Sequence, residues 1–268
     1  MSTSLSRIAG AVVLAAAFLP AGPASAADPV WPDLKAAFFE DRPIEDGSSF
    51  LRIEAPYRAH DAATVPVEIV SSLPGDDPRR IKALTLIIDE NPAPLAAVFT
   101  FAEPIGPGSI GTRVRINAYT PVHVVAEATD GTLYQAETFI KASGGCSAPA
   151  MKSPDEALAG MGQMRLRSLA EGGAGDVELL IRHPNFSGMQ MDPVTRHYTP
   201  ARYIETVAVS FNGRPVLNVE GNISLSENPA ITFAFTPNET GEMTVHAVDS
   251  KGTAFDHAWP LGPDDKAS

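Results

Sequence analysis

The residue of this sequence best suited to chemistry is its single cysteine. Cys146 lies in residues 143–150, a stretch of small residues, and directly follows two glycines. Gly144 and Gly145 remove side-chain bulk and let the backbone bend freely, which predicts an exposed thiol rather than a core cysteine. A thiolate is a nucleophile. We therefore expect Cys146 to be the reactive residue of the chain, and an incidental linker cysteine is the alternative.

The predicted elements around Cys146 would place its thiol on a movable arm. The preceding strand is predicted to end near Ile140, and about six residues at roughly 3.3 Å each would let the sulfur reach about 20 Å from that strand. The chain continues after the cysteine, so the arm is tethered at both ends, and Pro149 stiffens its downstream side. This reach is therefore an upper limit.

A second group of residues could bind a soft metal ion. Met189 and Met191 lie near His183 and His197 in the sequence, and thioether, imidazole and thiolate ligands, here Cys146, suit Cu(I). This pattern keeps a copper-binding accessory protein open as the alternative function. The sequence has no Gly-rich phosphate loop, G-x-S-x-G or H-E-x-x-H motif. We expect no catalytic residue, no cofactor and no resident metal.

Composition and charge exclude several classes of function. The 268 residues are 44% hydrophobic and carry a formal net charge of −12. Such a chain has enough apolar side chains for one or two cores but no basic cluster to follow a phosphate backbone, so we expect no nucleic-acid partner. A single cysteine also excludes an internal disulfide framework.

The N-terminus has the pattern of a signal peptide. Arg7 precedes an apolar run at residues 8–19, Pro20 ends the run, and residues 24–26 form an Ala-Ser-Ala cleavage site. The run is too short to span a bilayer, which needs roughly 20 apolar residues. We expect residues 1–26 to be removed and the mature protein to be periplasmic, with no membrane span.

The rest of the chain has the spacing of an all-β protein. Short runs of alternating or β-branched apolar residues are separated by turns rich in Pro, Gly and Asp. Asp130-Gly131 is the clearest turn and predicts a hairpin. Strands are predicted at residues 64–70, 81–88, 97–101, 112–119, 121–128, 132–140, 177–181, 203–211, 231–235 and 241–248, with a closing strand through 254–255.

The strands fall into two similar halves of about 100 residues, the size of an immunoglobulin-like domain. We predict an all-β protein of two immunoglobulin-like β-sandwich domains joined by a flexible, partly helical linker, with a helix from Pro154 to about Leu169. The similar order of strands and turns predicts an internal repeat, and the two sandwiches should pack through a shared apolar face. The first domain is assigned residues 27–142, the linker 143–175 and the second domain 176–268.

At Cys146 the sequence resembles a known family. A β-sandwich followed by Gly144-Gly145-Cys146 is similar to the Y subunit of SoxYZ, the periplasmic sulfur carrier of thiosulfate oxidation. The second half is similar to the Z subunit. The chain most closely resembles the fused SoxYZ-like carriers associated with quinoprotein dehydrogenases. The Z-like words are Arg182-His183-Pro184, Gly188, Thr199-Pro200-Ala201-Arg202-Tyr203-Ile204, Phe211-Asn212-Gly213, and Ile223-Ser224 with Glu227-Asn228-Pro229.

This resemblance implies a carrier rather than an enzyme. It implies that Cys146 holds a sulfane or sulfonate group, that Gly144 and Gly145 give the arm its flexibility, and that separate redox enzymes process the loaded cysteine. The implied partners are a Sox-type cytochrome or hydrolase, or a quinoprotein dehydrogenase system. In the separate Y subunit the cysteine lies almost at the end of the chain, whereas here a whole domain follows it.

Overall fold

The computed structural model describes residues 30–40, 42–149, 154–169, 175–192 and 195–263, and the predicted signal peptide lies outside these ranges. The described residues form two helices and fifteen strands. The helices are α1 (Trp31–Phe39) and α2 (Pro154–Leu158), and the strands are β1 (Ile44–Asp46), β2 (Leu51–Glu54), β3 (Val65–Ser71), β4 (Ile81–Ile88), β5 (Leu95–Ile105), β6 (Gly108–Val114), β7 (Thr120–Ala128), β8 (Leu133–Ile140), β9 (Met164–Ser168), β10 (Gly175–Ile181), β11 (Ile204–Phe211), β12 (Arg214–Gly221), β13 (Ala230–Phe235), β14 (Gly241–Asp249) and β15 (Ala254–Leu261).

The strands form two sheets that enclose a common core. A nine-stranded sheet has the order β1-β8-β7-β4-β5-β12-β11-β14-β15, and a six-stranded sheet has the order β2-β3-β6-β13-β10-β9. The predicted all-β fold with two immunoglobulin-like sandwiches is confirmed. The two sandwiches share an apolar core, but they do not pack face against face, because the halves join edge to edge through hydrogen bonds of β5 with β12 and of β6 with β13.

The strand order is the same in the two halves. In the larger sheet the first half has the order β5-β4-β7-β8 and the second has β12-β11-β14-β15, while the smaller sheet contains β6-β3-β2 and β13-β10-β9. Each strand from β2 to β8 thus has a counterpart seven strands later, as the predicted internal repeat requires. At both contacts between the halves a strand pairs antiparallel with its own counterpart, β5 with β12 and β6 with β13. This is the arrangement of an isologous dimer within one chain.

One hydrophobic core runs through both halves. Alternation along each strand turns every second side chain inward, as in β3, where Val65, Val67 and Ile69 are buried. Where the halves meet, Phe99 of β5 lies opposite Val219 of β12, and both are buried. Pairing these edges covers strands that would otherwise be open to aggregation.

The predicted linker helix is largely wrong. Helix α2 ends at Leu158, and β9 occupies five of the remaining eleven residues of the predicted helix. Gly160 and Gly162 have φ angles of 73° and 87°, which a right-handed helix does not contain. Within β9, Leu166 is buried between two exposed arginines, the period of two of a strand.

Helix α1, for which the sequence patterns gave no expectation, covers part of the nine-stranded sheet. The Trp31 ring stacks on the ring of His123 in β7, with centroids 3.8 Å apart. Phe39 enters a small second core with side chains of β4, β7 and β8. Neither described helix is long or apolar enough to cross a membrane.

We predict that the two halves unfold together. The chain has two tryptophans, Trp31 in the first half and Trp259 in the second. In each of the variants Trp31→Phe and Trp259→Phe, the fluorescence midpoint in urea should equal the circular dichroism midpoint, because sheets and core are continuous. Phe99→Ala should destabilise both halves equally, by about 3–5 kcal/mol. Separate transitions for the two tryptophans would show independent domains.

Candidate functional site

Cys146 lies where the two halves meet, in a segment that we call the cysteine loop (residues 143–149). The structure places this residue at 0% exposure. The expectation of an exposed thiol on a free arm is therefore wrong for this conformation. The cysteine loop is docked, with backbone and side-chain partners on both sides.

The two glycines hold the cysteine loop against the first half. Gly144 N donates to Asn117 O at 2.8 Å, and Gly145 N donates to Ile116 O at 2.9 Å. A Cβ on Gly145 would lie 2.0 Å from Ala62 O, so only glycine fits there. Gly144 has a φ of 79°, which favours glycine. In the docked loop Gly145 allows the close approach to Ala62, and Gly144 supplies the positive φ angle. The flexibility assigned to both glycines stays a prediction for an undocked loop.

The opposite side of the cysteine loop contacts the segment between β10 and β11. Ser187 Oγ donates to Cys146 O, and Gln190 Nε2 donates to Ala148 O at 3.1 Å. The two holding side chains are themselves linked, since Ser187 N donates to Gln190 Oε1 at 3.2 Å. The thiol-bearing loop of the first half is thus held by buried side chains of the second.

Arg115 is the charged group beside the cysteine loop. It lies one residue beyond the end of β6 and is only 2% exposed. Its Nη1 donates to Gly145 O and its Nη2 to Asn185 O, each at 3.2 Å. Its Nε has no hydrogen-bond partner among the described residues. One guanidinium therefore connects the first half, the cysteine loop and the second half.

Burial determines the protonation of the thiol. It raises the pKa of Cys146 from the ordinary 9.0 to about 11, and the positive charge of Arg115 opposes this rise only in part. Burial also lowers the pKa of Arg115, against the opposing charges of Cys146, Glu227 and Asp61. The docked thiol is therefore neutral at pH 7 and a weak nucleophile.

A buried polar network fixes the segment that holds the cysteine loop. Nδ1 of His183 lies 2.7 Å from Asn185 Oδ1, and its Nε2 lies 3.6 Å from Asp249 Oδ2. Arg202 Nε donates to the same Asp249 oxygen at 2.8 Å. Burial lowers the pKa of His183, so this ring is neutral at pH 7. His183 and Arg202 belong to the Z-like words, and their contacts give them a positioning role.

The histidines considered for copper lie in different environments. Among the described residues, no group of three His, Cys, Asp or Glu side chains is placed to hold a metal ion. His183 is turned into the buried network, whereas His197 and Met191 are exposed. Nothing in this arrangement favours the copper-binding alternative.

Three residues of the site were not found by sequence reasoning: Arg115, Ser187 and Gln190. Arg115 falls within the strand predicted at 112–119, but β6 ends at Val114, so Arg115 leaves the alternating pattern and turns inward. Ser187 and Gln190 lie between two of the Z-like words, and that position was their only signal.

Comparisons with known families match both halves of the chain. The family model of the sulfur oxidation protein SoxY matches residues 35–146, and that of the sulphur oxidation protein SoxZ matches residues 164–260. The first match ends at Cys146, and together the two cover most of the chain. Fold and matches define a carrier protein of sulfur oxidation. The chain belongs to the SoxYZ-like carriers, in the fused form with both subunits in one polypeptide.

Other comparisons add no argument. No curated protein matches the chain significantly. Two variants of superoxide reductase (neelaredoxin) from Ignicoccus hospitalis are 18% and 16% identical, cover 41% and 39% of this chain and 90% and 96% of their own, and have TM-scores of 0.30 and 0.28. A beta-glycosidase from Bacteroides vulgatus is 10% identical, with 79% and 25% covered and a TM-score of 0.23.

Cys146 should resist alkylation in the folded protein. At pH 8 a thiol with a pKa of about 11 is roughly a hundredfold less ionised than one with the ordinary pKa of 9.0. Iodoacetamide should label folded protein at least about 100-fold more slowly than urea-unfolded protein, as measured by intact mass. The docked thiol has a higher pKa than the undocked thiol, so loss of its proton favours the undocked loop. Docking is therefore strongest below about pH 9 and weakens as the pH rises towards 11. Equal labelling rates in both states would contradict docking.

Gly145→Ala should undock the cysteine loop. The added Cβ meets the backbone oxygens of Ala62 and Ile116, at 2.0 and 2.7 Å, and neither can turn away. We expect this variant to keep its circular dichroism spectrum and to react with iodoacetamide at least about tenfold faster than the native protein, through local opening. Gly75→Ala is the matched control, since its Cβ meets nothing within 4 Å. An unchanged rate in Gly145→Ala would show that this contact does not hold the loop.

Proposed function

We propose that this protein is a periplasmic carrier that holds a sulfur-containing group covalently on Cys146 for processing by partner redox enzymes. One observation carries the proposal. The single thiol of the chain lies at the end of the SoxY match and is held against the SoxZ-like half by Ser187. In this function the chain is a substrate-like scaffold and not a catalyst, because the partners perform the chemistry on the carried group.

The carrier function requires the cysteine loop to leave its docked position. A docked thiol is buried and neutral, so a partner's active site does not reach it. In an undocked loop, the pKa of Cys146 returns towards its ordinary value and more of the thiol is nucleophilic thiolate. Joining that thiolate to the terminal sulfur of thiosulfate forms one S–S bond and releases two electrons, which a partner must accept.

The proposed partners follow from the family and from the sequence. The family is one of sulfur oxidation, which supports a Sox-type cytochrome or hydrolase. The resemblance to carriers associated with quinoprotein dehydrogenases supports the second candidate, a dehydrogenase system of that kind. The predicted signal peptide supports a periplasmic location, in which S–S bonds on Cys146 are not exposed to cytosolic thiol reductants.

Protein purified from the periplasm of its native host should carry an adduct on Cys146. The chain has one cysteine, so intact mass should show a single addition, and peptide mass should place it on one peptide. A disulfide-type adduct should leave with reductant. Cys146→Ser should lose the addition and keep the fold, because serine is nearly isosteric with cysteine, and Ser147→Ala, next to it, should retain both.

The same variants test the role in the cell. A host with Cys146→Ser should lose sulfur oxidation or quinoprotein-dependent growth, whereas a host with Ser147→Ala should grow normally. If every native molecule carries a bare thiol and the Cys146→Ser host shows neither loss, the carrier function is refuted.

A further inference from the structure

Arg115 is a buried cation without a carboxylate partner among the described residues. Its two hydrogen bonds go to backbone carbonyl oxygens, and its Nε has no partner. Burying a charge is unfavourable unless an opposite charge compensates it. Arg113, two residues earlier, has such a compensating charge, since its Nη2 lies 3.2 Å from a carboxylate oxygen of Glu178. The charge of Arg115 is therefore available for an anion that the chain itself does not supply.

The position of Arg115 indicates that such an anion would be attached to Cys146. A guanidinium has five N–H donors, and Arg115 uses one on Gly145 O, the residue directly before Cys146. The charges of Arg115 and Cys146 already influence each other. Asp61 and Glu227 are the other charged groups that act on Arg115, and neither forms an ion pair with it. The cation and the attachment point thus lie together at the contact between the halves.

We propose that Arg115 binds the anionic end of the group carried on Cys146. An acid such as a sulfonate or a carboxylate presents oxygen acceptors that match a guanidinium. Its negative charge would compensate the buried positive charge of Arg115 when the loaded loop closes. A neutral group would leave that charge uncompensated. Because the thiol is fully buried, the loop has to shift outward to admit the added atoms. This inference rests on the proposed function, which places a carried group on Cys146.

A matched pair of alkylating reagents tests the site without the natural cargo. Mature protein is opened in urea, alkylated on its only cysteine and refolded by dilution. With iodoacetate labelled with ¹³C at its carboxyl group, the thiolate sulfur bonds to the methylene carbon and iodide leaves with the bonding electron pair. Iodoacetamide adds a neutral group with the same number of heavy atoms. The pKa of the labelled carboxyl is then followed by NMR in folded and in urea-unfolded protein.

The direction in which the pKa of the labelled carboxyl changes on folding tests whether Arg115 binds it. Pairing with Arg115 should lower the pKa of the carboxyl by at least about one unit in folded protein, whereas burial alone would raise it. Arg115→Gln should abolish the lowering, and Arg113→Gln, the matched control, should preserve it. An unchanged or raised pKa in folded protein with its native Arg115 would overturn the proposal. That comparison holds even if Arg115→Gln fails to fold.

A second measurement compares protein alkylated with iodoacetate and protein alkylated with the neutral reagent, iodoacetamide. At pH 7 the carboxymethyl protein should have a higher urea midpoint than the carbamidomethyl protein, and an equal or lower midpoint would count against the site. These outcomes are separable from those of the carrier proposal. A raised carboxyl pKa together with a natural adduct on Cys146 would refute the anion site at Arg115 and support the carrier function. A lowered carboxyl pKa without any natural adduct would support the anion site and refute the carrier function.

Discussion

The guanidinium of Arg115 ties three parts of the protein together, and the arrangement of the site depends on it. Its side chain reaches Gly145 O and Asn185 O, while its backbone N donates to Ser224 O of the second half. Asn91 Nδ2 donates to Arg115 O and to Ser224 Oγ. Arg115 follows β6, which pairs with β13 at one of the two contacts between the halves. The site therefore forms only when both halves are aligned, and a fused chain ensures that they are present in equal number.

Docking reconciles two opposing demands on the thiol. An exposed unpaired thiol in an oxidising compartment is open to stray disulfides and to irreversible oxidation. Burial and a raised pKa suppress both reactions, but they also suppress the nucleophilicity that a carrier needs. In the proposed function, opening of the cysteine loop exposes the thiol only when a partner processes it. The loop is held by a few hydrogen bonds and one close glycine contact, which is consistent with opening that does not disturb the two sheets.

Local signals predicted much of the fold and little of the docking. The Asp130-Gly131 hairpin is present, with Gly131 at a φ of 86° and Asp130 accepting from Thr132 N, because a tight turn is specified by its own residues. The sequence around Gly145 predicts flexibility, although the role of this glycine in the docked loop depends on Ala62, which is distant in sequence. Glycines that bend a loop and glycines that admit a neighbouring backbone look identical in a sequence.

The charged part of the site was hidden for a similar reason. Arg115 follows an alternating strand pattern in which an arginine normally faces solvent, and only the end of β6 one residue earlier turns it inward. The linker helix is wrong for a different, local reason, because Gly160 and Gly162 adopt positive φ angles and β9 pairs with the next strand, β10. Strand alternation is thus readable from sequence, whereas partners that the chain brings together from far apart are not.

The carrier function requires that the cysteine loop opens while the rest of the protein stays folded. Hydrogen exchange of the Gly144 and Gly145 amides tests it most directly, because both amides are hydrogen-bonded only while the loop is docked. We expect both amides to exchange with the same opening free energy, which should be smaller than that of global unfolding and equal to the value obtained from alkylation of Cys146. Exchange of these amides only through global unfolding, at the same free energy as the amides of the core strands, would contradict it.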